Sequence, residues 1–311
     1  MQPPVLRSLG RSGFNRGKKI NHKPGTTPMP IAYPEILSLT SEPQAFAWTE
    51  KETMLYALGI GLGNDPMDLR ELPFVYESGL KAVPTMATTV AWGAGPSVGK
   101  MGINFLLVVH GEQKVEFHKT FPTEASITAE GRIIGAYDKG DKGAVIYNET
   151  VLKDAKTGEK IATLTGSTFA RGDGNFGGPA DGAPEAHEVP TRAPDLTVDI
   201  PTKPDQALIY RLSGDRNPLH SDPGIAKAAG FPRPILHGLC TYGITCRAVL
   251  QAYADFDPSR IKSHQVRFSS PVFPGETISV DLWKDGDVVS FEARVKERGV
   301  TVVKNGKTVL G

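Results

Sequence analysis

The feature that most constrains this chain is an approximate internal repeat. Residues 50–58, Glu-Lys-Glu-Thr-Met-Leu-Tyr-Ala-Leu, resemble residues 204–212, Pro-Asp-Gln-Ala-Leu-Ile-Tyr-Arg-Leu, with Tyr56 and Tyr210 154 positions apart. Farther on, Phe121-Pro-Thr-Glu124 resembles Phe273-Pro-Gly-Glu276 at a spacing of 152. Chance can match one pair of short segments, but two pairs at nearly one spacing point to a duplication. Between the copies, Gly172-Asp-Gly-Asn-Phe-Gly-Gly-Pro-Ala-Asp-Gly-Ala-Pro184 is dense in Gly and Pro and poor in aliphatics, as a linker is. The expected organisation is a flexible basic tail over 1–30, a first unit over 31–172, a linker over 173–195 and a second unit over 196–311.

Each copy places strand-like sequence after Phe-Pro-x-Glu. In the second, Ile278, Val280 and Leu282 alternate with Thr277, Ser279 and Asp281, and Phe291, Ala293 and Val295 alternate in the next run. Lys284-Asp-Gly-Asp287 and Asn305-Gly306 both read as hairpin turns. In the first copy, Ile127–Ile133, Gly143–Leu152 and Ile161–Phe169 predict strands, with turns at Asp138-Lys-Gly140 and Lys156-Thr-Gly158. Ahead of the second set, residues 237–253 form an apolar run long enough to be a buried helix, and Pro84–Trp92 is expected to open its counterpart. A buried helix wrapped by an antiparallel sheet, present twice, gives an α+β class and a double hotdog fold, with the two sheets joined edge to edge so that edges are protected.

Composition excludes several alternatives. With 35 basic and 34 acidic residues the net charge is +1, which does not suit a nucleic-acid partner. The apolar run Phe105–Val109 is too short to span a bilayer, and no apolar stretch of signal-peptide type follows the start, so no membrane partner is expected. Cys240 and Cys246 lie six residues apart on one expected helix, hence on different faces, and should stay reduced. A cytoplasmic protein, in a bacterial cytosol, is the expectation. Arg7, Arg11, Arg16, Lys18, Lys19 and Lys23 all precede the first acidic residue, Glu35, but the Gly- and Pro-rich context reads as a flexible tail rather than a transit helix. Thr308-Val-Leu-Gly311 is not a peroxisomal Ser-Lys-Leu signal.

The chemically dense segment is Tyr210-Arg-Leu-Ser-Gly-Asp-Arg-Asn-Pro-Leu-His220. Gly214 and Pro218 interrupt any helix, so Ser213, Asp215, Asn217 and His220 sit on a shaped loop. Asp215 can accept a proton or hold a water, His220 titrates near neutrality, and Asn217 can fix a water or an acyl group. A merely structural capped turn would use the same residue types. Spacing beyond the loop favours chemistry. Pro232-Arg-Pro-Ile-Leu-His-Gly238 leads into the buried helix, which puts the Gly238 N–H at the positive end of its dipole, where an oxygen gaining negative charge is stabilised.

The run Tyr210-x-Leu-Ser-Gly-Asp-x-Asn-Pro-Leu-His220, with Ala226 following, resembles the signature of the MaoC-like, (R)-specific 2-enoyl-CoA hydratases, the hydratase 2 family that includes the hydratase part of peroxisomal multifunctional enzyme type 2. The likeness extends through Ala229-Gly-Phe231, Pro234–Thr241 and Pro271-Val-Phe-Pro-Gly275. It reaches the first copy at Tyr56-Ala-Leu-Gly59, Val109-His-Gly-Glu-Gln113, Asp138-Lys-Gly140 and Gly174-Asn-Phe-Gly-Gly178. It implies reversible hydration of a trans-2-enoyl-CoA to a (3R)-3-hydroxyacyl-CoA, without a cofactor or metal, in fatty acid or related acyl-CoA β-oxidation. In that reading Asp215 and His220 hold the water, Asn217 supports them, and the Gly238 N–H receives the thioester oxygen. His110, Gly111, Lys139 and Phe268 match positions that contact the acyl-CoA. A solvated turn lysine and a plain core phenylalanine are the bland alternatives for Lys139 and Phe268. A homodimer is expected from fold analogy.

One departure is informative. Around Tyr56 the first copy reads Gly59-Ile-Gly-Leu-Gly-Asn-Asp-Pro66, with Asn64 and Asp65 but no histidine where the second copy has His220. One active site per chain is expected, the first copy having turned to accommodating a bulky acyl group. Three rivals remain: a metal site from His220, Asp222 and His237, for which no His-x-x-x-His spacing appears; a hotdog thioesterase, which would use the same helix-start site; and a non-catalytic acyl-CoA-binding module, which would need neither Asp215 nor His220.

Overall fold

The computed structural model describes residues 31–104 and 107–311, so the basic tail and part of the apolar run at 105–109 lie outside the described residues. The first copy contains β1 (Gln44–Trp48), α1 (Glu50–Gly59), β2 (Val108–Phe117), β3 (Ala125–Asp138), β4 (Ala144–Asp154) and β5 (Lys160–Ala170). The second contains β6 (Leu196–Pro201), α2 (Gln206–Tyr210), α3 (Pro223–Ala228), α4 (Gly238–Tyr253), β7 (Ile261–Phe268), β8 (Thr277–Asp285), β9 (Val288–Val295) and β10 (Val300–Leu310).

All ten strands form one sheet in the order β1-β3-β4-β5-β2-β7-β10-β9-β8-β6. Each copy therefore supplies five neighbouring strands in the same internal order, mirrored about an antiparallel β2–β7 junction that pairs Glu112 with Arg267 and Glu116 with Ser263. The spacing seen in the sequence recurs in the fold: β1 and β6, and likewise β3 and β8, begin 152 residues apart. Tyr56 and Tyr210, the residues that revealed the repeat, face each other at 5.9 Å between ring centroids.

The helix α4 is the centre of the core. From Leu239 to Leu250 every residue but Arg247 is buried. Arg247 is compensated where it lies: Nε and Nη2 donate to Glu71 Oε1 and Nη1 donates to the Gly61 carbonyl. At Gly243 the helix comes so near the end of α1 that a Cβ would lie 2.6 Å from Ile60 Cγ2 and 2.8 Å from Tyr56 Oη, so a side chain there is excluded by contact. Cys240 and Cys246 are both free and buried.

Two sequence expectations need correction. Pro84–Trp92 does not open a long helix: a 3₁₀ turn over Pro84–Thr88 is followed by irregular chain. The residues that follow, Gly93-Ala-Gly-Pro-Ser97, remove helix propensity and a backbone donor, and Gly93 takes φ 90°. Asn305-Gly306 is not a hairpin turn either. It is a bulge inside β10, where the pairing register shifts between Lys304 and Lys307 and Asn305 takes φ 55°. The β9–β10 turn is instead closed by the Gly299 N–H donating to the Val295 carbonyl at 2.8 Å. The β8–β9 turn falls where Lys284–Asp287 predicted it.

The linker has no helix or strand but is held down. The Asp138 carboxylate accepts from the N–H groups of Asn175 and Gly177, and Lys139 Nζ donates to the Ala180 carbonyl.

Candidate active site

The loop after α2 is shaped by its own sequence. A 3₁₀ turn over Arg211–Ser213 ends at Gly214, whose φ of 146° suits glycine and lets the chain turn under Trp92. Asp215 Oδ1 then accepts from Asn217 N at 3.0 Å. Asn217 Oδ1 accepts from Leu219 N at 3.0 Å, capping a second 3₁₀ turn that begins with Pro218 and ends with buried His220. Asn217 thus uses its side-chain oxygen to hold the loop. Asp222, considered above as a metal ligand, instead caps α3 by accepting from Gly224 N and Ile225 N.

This folding brings Asp215 Oδ2 to 3.9 Å from His220 Nε2. That separation is too long for a direct hydrogen bond and fits one shared water. The orientation of the imidazole is set from behind, where Nδ1 lies 2.9 Å from the Ile235 carbonyl. A carbonyl only accepts, so the neutral ring carries its proton on Nδ1 and turns the Nε2 lone pair toward Asp215. Burial lowers the pKa of His220, against the opposing pull of the Ile235 carbonyl and the Asp215 charge. His220 therefore rests as a neutral acceptor at neutral pH.

Gly238 is the first residue of α4, and the first hydrogen bonds of the helix run from Cys240 N and Thr241 N to the His237 carbonyl. The Gly238 and Leu239 N–H groups precede them at the positive end of a 16-residue helix. Phe268, at the end of β7, lies opposite: its ring carbons would be 3.5–3.6 Å from a Cβ on Gly238. The His110 ring lies 5.0 Å from that of Phe268, and the Asp215 charge reaches it.

The other first-copy candidates are placed differently. Gly111 forms a bulge in β2, where a Cβ would sit 2.6 Å from Ser167 Oγ. Lys139 is anchored on the linker at Ala180 and lies over the Tyr137 ring, in contact with no member of the Asp215 cluster. Asp65, the relic of the repeat, is exposed and accepts from Met67 N at 2.9 Å.

A second histidine joins the cluster. His237 stacks on His220 at 3.7 Å between centroids and 27° between planes, and its Nε2 lies 3.1 Å from the backbone carbonyl of Asp215. The available signal was its place immediately before Gly238. Asp215, His220 and His237 have potential ligand atoms within 4.8 Å of one another. Near-parallel stacked imidazoles nevertheless cannot both aim an in-plane lone pair at one ion, and the outward nitrogens are committed to the Ile235 and Asp215 carbonyls.

Comparison with known proteins gives a consistent result. Residues 46–172 match the family described as the MFE-2 hydratase 2 N-terminal domain, and residues 185–306 match the MaoC like domain. The enoyl-CoA hydratase ChsH3 of Mycobacterium tuberculosis is 43% identical over 282 residues, covering 88% of this chain and 97% of that protein. The peroxisomal multifunctional enzyme type 2 of Mus musculus is 40% identical over 269 residues, 83% of this chain but 36% of that longer protein. Among solved structures, a MaoC-like dehydratase from Phytophthora capsici superposes with a TM-score of 0.80 at 35% identity, covering 89% of this chain and 97% of that one.

Proposed function

The chain belongs to the MaoC-like hydratase 2 family, and on that premise we propose that it adds water reversibly to the double bond of a trans-2-enoyl-CoA, acting as a hydro-lyase that yields the (3R)-3-hydroxyacyl-CoA. The observation that carries this reading is the placement of Asp215 and His220, 3.9 Å apart, in the loop whose backbone is tied to the start of α4.

The geometry suits the chemistry as follows. The thioester carbonyl accepts from the Gly238 N–H, which stabilises the enolate as negative charge builds. A water donates one hydrogen to Asp215 Oδ2 and the other to His220 Nε2, which leaves an oxygen lone pair free to attack C3. The pair takes one proton from the water as the C3–O bond forms and returns one to C2 on the same face. No metal or cofactor is needed for this step, because the charge is handled by the helix end and the protons by the dyad. Phe268 and His110 border the thioester, and Lys139 and Gly111 are assigned to the CoA moiety through the family match rather than by proximity to the dyad. The first copy, with no histidine at the matching position and only a 3₁₀ turn where α4 has its counterpart, is assigned to the acyl chain.

Mixing the protein with a trans-2-enoyl-CoA and following the enoyl absorbance, then resolving product chirality, tests the reading. A (3R) alcohol supports it and a (3S) alcohol sinks the hydratase 2 assignment. Release of free thiol would mark a thioesterase, and binding without turnover a carrier. A cytoplasmic homodimer is part of the proposal, checked by sedimentation of the purified chain. Among the described residues no helix is long and apolar enough to cross a membrane.

A further inference from the structure

We propose that His237 is the positioning residue of the site, holding Asp215, His220 and Gly238 in mutual register while remaining an uncharged donor throughout the cycle. The inference rests on the hydratase reading for its consequence in turnover, but its structural part stands separately.

Three contacts converge on this one side chain and its backbone. The Nε2–H donates to the Asp215 main-chain carbonyl at 3.1 Å, which ties the acid–base loop to the residue that starts α4. The ring lies against the His220 ring at 3.7 Å, so His220 cannot rotate about its Ile235 hydrogen bond without displacing it. The backbone carbonyl accepts from Cys240 N and Thr241 N, which fixes the first turn of the helix and hence the direction of the Gly238 N–H. His237 is itself 1% exposed, so it has no room to relax. A residue whose ring touches the loop carrying one partner and the ring of the second, and whose backbone carbonyl starts the helix of the third, links all three.

The neutral state follows from the surroundings. Tyr210 lies 5.0 Å from the ring, His220 stacks on it, Arg211 adds positive charge nearby, and Asp215 offers it a carbonyl as its hydrogen-bond partner. Burial, then the His220 charge, push the His237 pKa down to about 3, against the pull of the Asp215 carbonyl. When His220 takes up the water's proton, the adjacent ring therefore stays uncharged, and the proton remains on the group that must return it.

Two substitutions separate the two kinds of contact. His237→Gln keeps an N–H near the Nε2 position and removes the stacked ring; His237→Phe keeps the ring and removes the donor. His237→Ala removes both. We expect kcat of the alanine variant to fall by about 10²-fold, the scale of an ångström-sized misplacement, with the other two between it and wild type. Binding of a saturated acyl-CoA should stay within about threefold, since that ligand uses the Gly238 N–H, whose backbone anchor at residue 237 the alanine variant keeps, but not the dyad. Alanine turnover within threefold of wild type would overturn the proposal. So would a parallel loss of saturated acyl-CoA binding and kcat, because that is general structural damage.

The readout independent of turnover is nitrogen NMR of labelled histidine. His237 should stay neutral with its proton on Nε2 from pH 5 to 8 (about two units above its own titration), and the His220 titration should rise toward about 6.5 in the alanine variant as its face is opened to water. Titration of His237 inside that window would overturn the proposal whatever the activity. An NMR result as expected with no hydration by wild type would instead refute the hydratase reading alone.

Discussion

Gly238→Ala separates the fold from the chemistry more cleanly than any substitution in the dyad. On the protein side, the added methyl meets Phe268 ring carbons at 3.5–3.6 Å, which is ordinary van der Waals contact. Gly238 lies in the first turn of α4, where alanine is favoured over glycine by up to about 1 kcal/mol. The unfolding free energy should therefore stay within ~1 kcal/mol of wild type. On the substrate side, the methyl fills the space between Gly238 and the Phe268 ring, which a thioester bound to the Gly238 N–H must share. The acyl group has to keep about 3.5 Å from that methyl, so the thioester is pushed off the N–H by a distance on the order of an ångström. A misplacement of that size costs about 10²-fold, or ~2.7 kcal/mol in the barrier. Urea unfolding and kcat/KM on a short trans-2-enoyl-CoA give the two numbers. A folded alanine variant with kcat/KM within twofold of wild type would refute Gly238 as the place where the thioester oxygen binds.

Asp215→Ala and His220→Ala should each lower kcat by about 10²–10⁴-fold, whereas Asp65→Ala should leave it nearly intact; an equal loss at Asp65 would mean two sites per chain. Glu71→Ala leaves Arg247, whose side chain is 11% exposed, without its carboxylate partner, and should cost ~3 kcal/mol in urea unfolding; a change below 1 kcal/mol would show that water repairs the site. Stability should also fall with acid through two buried histidines, His237 and His264, both held down to about 3 by burial. An unfolded histidine binds its proton near 6.5, so each contributes fully above that pH and loses about 1.4 kcal/mol per pH unit below it, until the folded value is reached. Unfolding curves between pH 7 and 5 that show no downward slope would contradict the neutral assignment of both.

What was legible in the sequence was whatever depended on local pattern. The repeat spacing survives as strand spacing, and Ile278, Val280 and Leu282 are all fully buried on one face of their strand, as period two predicts, although Ser279 between them is covered on the other face as well. The run from Gly238 to Tyr253 is helical because it is long, apolar and free of proline. The failures have physical causes too. Asn305-Gly306 carries the signature of a turn, but left-handed φ at an asparagine serves a bulge equally well, and strand neighbours decide which. His237 is visible in the sequence only as a rival metal ligand, because its partners, His220 and the Asp215 carbonyl, are 17 and 22 positions away and nothing in the sequence reports a ring stack.

On the proposed mechanism, the asymmetry between the copies has a single structural origin. A dyad that protonates carbon needs an enolate, and an enolate needs a donor where its oxygen sits. In the second copy that donor stands at the start of a 16-residue helix. In the first, the equivalent stretch is one five-residue 3₁₀ turn ending before Gly93, too short to align the peptide dipoles that make a helix start an anion site. Restoring a histidine to the Asn64–Asp65 segment should therefore not restore turnover in an Asp215→Ala background. Appearance of hydratase activity above that background in such a revertant would refute this account, since it would mean the first copy had kept a working oxygen site and lost only its base.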